Sequence, residues 1–347
     1  MKTASALVHL TNPAAVVEAL TAHLAEHEVE VRFDGAAAQA LLPSGQATLR
    51  VDPDAIALEA RAANQAQLED VTGFLASHVL EFAHPERPTI SWTGFQGREV
   101  FADFREMRVV GVSDLTPRMR RVTLAGDDLL RFAGEDNLHV RLYFPPEGRE
   151  PEWPTRGADG LALPGDPERK PHVRKYTIRR IDAARGLVEV DFVLHEAAGP
   201  GSDWAKTART GTVIGMAGPG GRSAKLVDWL LLAGDETALP AIARILEKLP
   251  DGSEGVALIE VEDESDRVSL AAPQGVEIRW LHRDGGASVL FDAVRQTTIA
   301  TGRSRFCWAG AEFDTIQAIR KHWRQDCGLD KSEQLAVAYW RHGIVDV

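Results

Sequence analysis

Three side chains with different chemistry follow one another between His172 and Ile181. Arg174 can donate two parallel hydrogen bonds to a phosphate, Tyr176 offers a flat aromatic ring, and Thr177 can hydrogen-bond a ring heteroatom. The alternation predicts a strand whose two faces carry Arg174, Tyr176 and Ile178 on one side and Lys175, Thr177 and Arg179 on the other. Such a strand is a candidate cradle for an anionic aromatic ligand. An exposed strand with ion pairs would show the same pattern.

A glycine-rich turn follows between His195 and Ala205. A predicted strand leads into Gly199-Pro200-Gly201, and Ser202 then stands where a short helix would begin. Free backbone N–H groups at the start of a helix bind phosphate well. The turn is therefore a second candidate for anion binding, and an ordinary connection between a strand and a helix is the alternative.

A third candidate lies between Leu231 and Pro240, a stretch that predicts a buried strand, a tight turn and the start of a helix. A nucleotide binds at such a turn in an α/β sheet. Asp235 and Glu236 suit the positive end of the helix dipole, but they would repel a pyrophosphate at close range. Residue chemistry alone therefore leaves nucleotide binding at this turn open.

The chain divides into three segments whose apolar residues follow different patterns, and these segments must position the candidate binding residues. Residues 1–95 predict a small α+β domain, in which short strands accompany two amphipathic helices. Residues 98–222 predict six strands separated by turns, as in a small antiparallel β-barrel. Residues 225–347 alternate strands and helices, which predicts a parallel sheet covered on both faces. A long insertion, residues 145–171, interrupts the barrel, and we expect it to be either a lid near the ligand site or disordered.

Composition limits the classes of function. The net charge of −12 argues against a general nucleic-acid-binding protein, which would carry a basic face. The two cysteines exclude a zinc or iron–sulfur site held by four Cys ligands, and they exclude a disulfide framework. No stretch has the pattern of a signal peptide, and no apolar run approaches the ~18 residues that span a bilayer. The sequence therefore predicts a cytoplasmic protein with no stable membrane association.

Five motifs occur in one order along the chain. They are Arg174-Lys175-Tyr176-Thr177-Ile178-Arg179, His195 with Gly199-Pro200-Gly201-Ser202 and Trp204-Ala205, the stretch from Ala233 to Ile242, Trp308-Ala309-Gly310-Ala311-Glu312, and Tyr339-Trp340-Arg341-His342-Gly343. Over residues 98–347 the chain resembles the siderophore-interacting protein family, the FAD-binding ferric-siderophore reductases of the ferredoxin-reductase superfamily. Residues 1–95 resemble a small domain of unknown function that is found fused to this family.

The resemblance implies a ferredoxin-reductase-like fold and a role for each matching residue. The residues implied to bind FAD are Arg174, Tyr176, Thr177, His195, Gly199, Gly201 and Ser202. Gly234, Asp235 and Thr237 would face the pyridine nucleotide. Glu312 is counted with the cofactor-binding residues, but its motif is one residue longer than the Gly-Glu of the family, which leaves its exact role open.

The resemblance implies an NAD(P)H-dependent flavin oxidoreductase that reduces a ferric siderophore and releases Fe(II). We expect no metal-binding and no catalytic side chain, because outer-sphere transfer through FAD needs no protein ligand to the iron. An anionic ferric chelate should need a local basic rim on this acidic protein. The candidates for that rim are Arg141, Arg222 and Arg341, with Lys175 and Arg179 as alternatives.

The residues after the third predicted parallel strand bear on the choice of coenzyme. Arg279, His282 and Arg283 follow the third predicted parallel strand, where a 2′-phosphate could lie, and they favour NADPH over NADH. Two other functions stay open: a general flavin or quinone reductase on the same fold, and a siderophore-binding carrier or regulator without turnover. We expect a monomer or a weak homodimer.

Overall fold

The structure is a computed structural model that describes residues 1–27, 29–134, 138–195 and 199–343. The chain forms two compact units: Met1–Phe104 with Pro146–Pro171, and Arg105–Pro145 with His172–Val347. The insertion therefore belongs with the N-terminal residues, whereas the predicted barrel and parallel sheet make up the second unit. Within the described residues, no helix is long and apolar enough to span a bilayer.

In the N-terminal unit, two helices pack against an antiparallel sheet. The elements are Lys2–His9 (β1), Pro13–Glu26 (α1), Glu30–Phe33 (β2), Ala37–Leu42 (β3), Gly45–Val51 (β4), Ala55–Ala62 (β5), Gln65–Phe82 (α2) and Glu99–Val100 (β6). The sheet has the order β1-β5-β4-β3-β2. Alternate strand residues such as Ala4 and Leu49 share one core with Leu75 of α2. Asn12 caps α1 by accepting a hydrogen bond from the Ala15 N–H.

The second unit begins with an antiparallel barrel. The elements in chain order are Phe104–Thr116 (β7), Met119–Ala125 (β8), His139–Phe144 (β9), Thr155–Arg156 (β10), His172–Thr177 (β11), Arg180–Asp182 (β12), Leu187–Val193 (β13), Pro200–Thr207 (α3) and Val213–Gly220 (β14). All of these strands except β10, which lies in the insertion, form one sheet in the order β11-β9-β14-β7-β8-β13-β12. Inward side chains, among them Leu142, Phe192 and Met216, fill the barrel. The predicted barrel is confirmed.

The barrel closes because the segment that contains β11 and β12 pairs with both edges of the sheet. β11 lies beside β9, and the Arg179 N–H then donates to Glu189 O of β13 at 2.8 Å as the chain enters β12. The sequence predicts one continuous strand here, whereas the structure ends β11 at Thr177. Ile178 is fully buried, and the side chain of Arg179 is buried after it instead of continuing an exposed face.

The insertion is folded onto the N-terminal unit. β10 pairs with β6, and the indole Nε1 of Trp92 donates to Asp159 O at 2.9 Å. Arg156 is buried with its Nε 3.0 Å from a carboxylate oxygen of Glu69, and its guanidinium lies 3.8 Å from the centroid of the Phe95 ring. The expectation of disorder is therefore wrong, and the contacts are those of a docked segment rather than of a free lid.

The rest of the second unit is a parallel sheet with helices. The elements are Trp229–Gly234 (β15), Leu239–Leu246 (α4), Glu254–Val261 (β16), Gly275–His282 (β17), Leu290–Gln296 (α5), Arg305–Glu312 (β18), Phe313–Lys321 (α6) and Gln334–Trp340 (β19). The five strands have the order β17-β16-β15-β18-β19. Leu230 and Leu232 of the central strand face one core, and Leu231 and Ala233 face another, so both faces are covered. The predicted parallel domain is confirmed.

The helices of this sheet are shorter than the sequence predicts. The helix expected from Glu312 to Cys327 is α-helical as far as Lys321 and continues as a π-helix, His322–Asp326. The helix expected from Ala287 to Ala300 covers only α5. Two short 3-10 turns lie in this unit, at Leu130–Ala133 and Glu264–Asp266. These differences concern connections and leave the order of the strands unchanged.

Candidate functional site

Tyr176 lies in the barrel wall against the first turn of α3. Its ring is 4.5 Å from that of Phe192 and 5.9 Å from that of Phe144, measured between centroids. Gly201 approaches the tyrosine so closely that a Cβ atom on this glycine would lie 2.0 Å from the hydroxyl oxygen. Only glycine fits at this position. The structure thus brings together two residues that the sequence assigns to a ligand separately.

The turn before α3 presents backbone N–H groups that are capped by no side chain of the described residues. Gly199 is the N-cap residue, and Pro200 is the first residue of the helix. The buried Ser202 hydroxyl accepts a hydrogen bond from the N–H of His195 at 3.3 Å, which ties the two ends of the turn, and the His195 side chain is exposed. Residues 196–198 lie outside the described part of the chain. The amides and the helix dipole at this end suit an anion.

A buried polar atom of α3, in Trp204, finds no partner in the part of the chain that the structure describes. Trp204 packs against Phe144 and Phe192, with ring centroids 5.5 Å and 5.6 Å apart. Its indole Nε1 is buried and has no hydrogen-bond acceptor among the described residues. A buried donor without an acceptor costs about 1–3 kcal/mol. A bound group with acceptor atoms would remove that cost.

Arg174 and Tyr176 stand two residues apart on β11, so their side chains leave the strand on the same face. Arg174 is half-buried, and its Nη1 donates to Val173 O at 2.7 Å. Burial raises the pKa of Tyr176, so that its hydroxyl stays protonated at neutral pH. This face therefore carries a cation and a neutral aromatic hydroxyl, as the sequence predicts.

The opposite face of β11 meets the parallel sheet. Thr177 is paired across the strands with His139, whose Nε2 lies 2.7 Å from the hydroxyl oxygen of Tyr339 in β19. The Thr177 side chain hydrogen-bonds the same hydroxyl. Burial lowers the pKa of His139 to about 4, helped by the charges of Lys175 and Arg244, so the imidazole is neutral at pH ~7. We call Thr177, His139 and Tyr339 the hydroxyl cluster.

Sequence reasoning missed the roles of His139 and Tyr339. Tyr339 opens the last of the five motifs, but nothing in that motif shows that its hydroxyl reaches the barrel. His139 can be recognised only from the register that places it opposite Thr177. No pattern within either stretch of sequence contains this information.

Two of the candidate basic residues share one face of the barrel. Arg141 and Lys175 are exposed and stand directly opposite each other on β9 and β11. Side chains of such a pair lie side by side. They flank the hydroxyl cluster, because the pair of His139 and Thr177 lies two residues further along the same two strands. This face therefore carries two cations next to the cluster.

Two more of the candidates, Arg222 and Arg341, lie next to residues of the hydroxyl cluster along the chain or in space. Arg222 is exposed in the turn after β14, and a Cβ atom on the adjacent Gly221 would lie 2.2 Å from His139 Nδ1. Arg341 follows β19 and lies over the ring of Phe313, with 4.5 Å to its centroid. Strand ends from both halves of the unit thus bring basic residues to the cluster.

Arg179 is not part of an exposed basic rim. It is 6% exposed and donates two hydrogen bonds, of 2.6 Å and 2.9 Å, to the carboxylate of Glu247 at the end of α4. The Arg179 guanidinium lowers the pKa of Glu247. Arg179, which the sequence offers as an alternative rim residue, is therefore not available for the rim, because the chain turns after Thr177 and carries Arg179 into this ion pair.

Gly234 and Gly310 face each other at the carboxyl ends of β15 and β18, where the order of the strands reverses. A Cβ atom on Gly234 would lie 2.6 Å from the Cβ of Ala238 and 2.8 Å from the carbonyl oxygen of Gly310. Glycine thus lets the helix start pack directly on the strand ends. Open α/β sheets bind ligands at this reversal of strand order.

Asp235 and Thr237 stabilise this turn from inside. One carboxylate oxygen of Asp235 accepts hydrogen bonds from the N–H and the hydroxyl of Thr237, at 2.9 Å and 2.5 Å. The other oxygen accepts from the Trp340 Nε1 at 2.8 Å, and the residue is 2% exposed. Burial raises the pKa of Asp235, against the effect of these bonds. The side chain that the sequence assigns to the nucleotide is therefore directed into the fold and positions the turn.

Glu312 is the N-cap residue of α6. One of its carboxylate oxygens accepts hydrogen bonds from the N–H groups of Asp314 and Thr315, at 2.5 Å and 3.2 Å. Its other oxygen accepts from the N–H of His342 at 3.3 Å. The structure thus gives Glu312 a capping role that also holds the segment after β19. Both oxygens already have partners within the protein.

Three stretches of the chain match known families. Residues 227–343 match a family described as siderophore-interacting protein, and residues 108–223 match the siderophore-interacting FAD-binding domain. Residues 5–93 match a family described as uncharacterized protein conserved in bacteria (DUF2218). The first two ranges correspond to the parallel sheet and the barrel, and the third corresponds to the N-terminal sheet with its helices.

Individual relatives are also similar. The chain is 34% identical over 236 residues to the ferric vibriobactin reductase ViuB of Vibrio cholerae, which covers 66% of this chain and 86% of the relative. The crystal structure of a siderophore utilization protein from T. fusca has a TM-score of 0.60 at 35% identity and covers 71% of this chain and 96% of that chain. The siderophore-interacting protein SipS from Aeromonas hydrophila has a TM-score of 0.59 at 27% identity and covers 70% and 93%.

Proposed function

Because this chain belongs to the siderophore-interacting protein family, we propose that it is a FAD-dependent NAD(P)H:ferric-siderophore reductase that releases Fe(II). The relative ViuB is a ferric vibriobactin reductase, and it is 34% identical over the shared region. One observation in the structure carries the proposal. The contact of Gly201 with Tyr176 joins an anion-binding helix start to an aromatic hydroxyl at one place.

The residues around α3 fit a flavin dinucleotide. The amides of Gly201 and Ser202, together with the guanidinium of Arg174, would hold its phosphates. Tyr176 would contact the flavin ring, and His195 would lie beside it at the edge of the turn. The indole Nε1 of Trp204, which has no acceptor among the described residues, would gain one from the cofactor.

The reaction must join donors and acceptors of different electron number, because nicotinamide gives up two electrons with one hydride and ferric iron accepts one. Bound FAD supplies this conversion. Each NAD(P)H therefore reduces two ferric ions and releases one proton. Ferrous iron binds hard oxygen ligands less tightly, so that Fe(II) leaves the siderophore without any protein ligand.

The hydroxyl cluster would orient Thr177 toward the cofactor. Tyr339 is held by both His139 and Thr177, and burial raises its pKa, so its hydroxyl keeps its proton. His139 is neutral, since burial lowers its pKa to about 4. The cluster therefore fixes the Thr177 hydroxyl without placing a charge beside the flavin.

The ferric siderophore would bind where basic residues border the hydroxyl cluster. The residues that we propose for this contact are Arg141, Lys175, Arg222 and Arg341. The chain has a net charge of −12, so an anionic chelate needs such a local basic surface in order to approach. Variants with Arg141→Gln and Lys175→Gln should raise KM for an anionic ferric chelate. Arg180→Gln, which removes an exposed arginine of β12, should leave KM unchanged.

The pyridine nucleotide would bind at the turn from Gly234 to Thr237. Asp235 and Thr237 would shape this turn, and its backbone would contact the nucleotide. The preference for NADPH expected from the sequence rests on Arg279, His282 and Arg283. The contacts of these residues in the structure favour NADH instead.

Turnover of different electron acceptors tests the proposal. The protein loaded with FAD is given NADH or NADPH, and Fe(II) is measured with a ferrous trap. We expect kcat/KM for a ferric siderophore to exceed that for free flavins and quinones by at least about tenfold, which is about 1.4 kcal/mol in the barrier. Equal turnover of quinones would identify a general flavin or quinone reductase. Tight siderophore binding without turnover would identify a carrier or regulator, and failure to bind FAD would refute the proposal.

The cytoplasmic location and the monomeric or weakly dimeric state expected from the sequence are proposals as well. Oxidation of NAD(P)H requires a compartment that contains this coenzyme, which supports the cytoplasm. Cell fractionation tests the location, and sedimentation of the FAD-loaded protein tests the oligomeric state.

A further inference from the structure

The ends of β15, β16 and β17 lie side by side at one edge of the parallel sheet. Gly234 is paired with Ile259, and Val261, the last residue of β16, is paired with His282, the last residue of β17. In dinucleotide-binding sheets of this kind, the adenosine ribose lies at the end of the second strand. An acidic side chain there binds the 2′-hydroxyl of NADH, whereas an arginine accommodates the 2′-phosphate of NADPH.

Arg283, the residue after β17, is surrounded by carboxylates. Its guanidinium lies 2.6 Å from Glu236, 3.3 Å from Glu260 and 3.4 Å from Glu262. These residues come from three different strand ends, and the Arg283 side chain is 12% exposed. One cation thus stands among three carboxylates. We call these four residues the acidic edge.

The carboxylates of the acidic edge differ in what else they contact. Glu260 is 2% exposed, and one of its oxygens accepts from the Ser288 hydroxyl and from two backbone N–H groups at the start of α5. Glu236 is bound to Arg283 at the shortest of the three distances. Glu262 has the longest of them, and its side chain is 42% exposed. Glu262 is therefore the carboxylate that can accept a hydrogen bond from a ligand.

The other cations near this edge also have partners. Arg279 lies three residues before the end of β17 and donates two hydrogen bonds, of 2.8 Å and 2.7 Å, to Glu277. Arg267 donates from its Nε to His282 Nε2 and lies 3.3 Å from Glu264. Among the described residues, Arg267, Arg279 and Arg283 are thus each paired with a carboxylate. A 2′-phosphate would meet an excess of negative charge there.

We propose that the protein selects NADH, with Glu262 accepting a hydrogen bond from the adenosine 2′-hydroxyl and the acidic edge repelling a 2′-phosphate. The proposal deepens the proposed function and rests on it, because it requires a pyridine nucleotide at this sheet. It reverses the preference predicted from the sequence. The prediction of NADPH considered only the basic residues at the end of β17. It did not include the carboxylates that lie beside them at the ends of β15 and β16.

The first experiment compares two pairs of ligands on the FAD-loaded protein. Steady-state reduction of a ferric siderophore should show kcat/KM for NADH at least tenfold above that for NADPH. Calorimetric titration should show that adenosine 5′-monophosphate (AMP) binds at least tenfold more tightly than adenosine 2′,5′-bisphosphate. The second comparison measures the 2′-phosphate alone and needs no turnover.

Two variants locate the selectivity. Glu262→Gln should lower kcat/KM for NADH about tenfold and should lower it less for NADPH, so that the ratio narrows. Glu254→Gln removes an exposed carboxylate that is likewise paired with an arginine, Arg303, but at the opposite end of β16, and it should leave both values unchanged. Equal effects of the two variants would overturn the role of Glu262.

A preference for NADPH, or tighter binding of the bisphosphate than of AMP, would overturn the inference. Loss of that preference in Arg267→Gln would then identify Arg267 as the phosphate ligand. If neither NADH nor NADPH reduces the bound flavin, the proposed function fails. In that event, the comparison of AMP with the bisphosphate still decides the charge preference of the site.

Discussion

The Nε2 of His139 lies 2.7 Å from the hydroxyl oxygen of Tyr339, and this contact joins the barrel to the last strand of the parallel sheet. The same hydroxyl is hydrogen-bonded by Thr177, the last residue of β11. One tyrosine thus connects the strand proposed to hold the flavin with the sheet proposed to bind the nucleotide. The neutrality of His139 is part of this arrangement, and it has a consequence for stability.

His139→Gln should reduce the decrease in the free energy of unfolding that occurs as the pH falls from about 7 to about 5. The folded protein holds His139 at a pKa of about 4, below its usual 6.5, because the ring is buried near Lys175 and Arg244. Between these values the unfolded chain binds a proton that the folded protein does not, so the stability contributed by this group is complete above pH ~6.5 and falls as the pH falls toward ~4. The difference amounts to at most about 3 kcal/mol.

Urea unfolding of the wild type and of the variant at pH ~7 and ~5 measures this effect. The exposed His172 offers a matched control, because His172→Gln removes an imidazole from β11 outside the hydroxyl cluster. The wild type and the His172 variant should lose more stability on acidification than the His139 variant. Identical losses in all three proteins would rule out a depressed pKa at His139.

Gly201→Ala should weaken FAD binding by at least about tenfold and destabilise the barrel by about 1–3 kcal/mol. The added methyl group would lie 2.0 Å from the Tyr176 hydroxyl oxygen, so either α3 or the tyrosine must move. Gly252→Ala is the control, since a Cβ atom there has no neighbour within 4 Å. Fluorescence titration with FAD measures the affinity. Tyr176→Phe combined with Gly201→Ala should recover part of the stability, and no recovery would contradict the proposed clash.

Arg179→Met should destabilise the second unit by about 3 kcal/mol, because it leaves the Glu247 carboxylate without its main partner. The double variant with Glu247→Met should recover much of the loss, since it removes both charges together. Arg180→Gln should change stability by less than about 0.5 kcal/mol, because Arg180 is mostly exposed. Chemical unfolding of the four proteins tests this ranking. A double variant as unstable as the single one would show that the ion pair itself is not the cause.

Arg156→Met should release the insertion from the N-terminal unit. Arg156 is the buried cation beside the buried carboxylate of Glu69, which also accepts a hydrogen bond from the Ala102 N–H at 2.8 Å. Loss of one partner of a buried pair costs about 3–5 kcal/mol. Hydrogen exchange of the β6 and β10 amides should accelerate in this variant. Arg149→Gln, which removes an exposed arginine of the same insertion, should leave the exchange unchanged.

Local pattern was sufficient to predict the residues that one strand or one turn brings together. Tyr176 follows Arg174 by two residues, so the shared face of β11 could be read from alternation alone. Gly199 and Gly201 mark a strand-to-helix turn by their types. The order of strands and helices likewise predicts a barrel followed by a parallel sheet, because each element has its own period of apolar residues.

Contacts between distant segments could not be predicted in the same way. The alternation makes Arg179 an alternative candidate for the exposed rim only if it continues past Ile178, where the chain changes its partner from β9 to β13. Arg283 was interpreted as a phosphate ligand because its carboxylates come from the ends of other strands. The composition of the insertion predicts either a lid or disorder, whereas Arg156, buried beside Glu69, helps to anchor it to a helix far away in the sequence.

The ratio of Fe(II) formed to NADH consumed tests the central claim most directly. The FAD-loaded protein is mixed without oxygen with a limiting amount of NADH and an excess of ferric siderophore, and Fe(II) is counted with a ferrous trap. The proposed reaction predicts about two Fe(II) for each NADH oxidised. Consumption of NADH without Fe(II), or no consumption at all by the flavin-loaded protein, would contradict it.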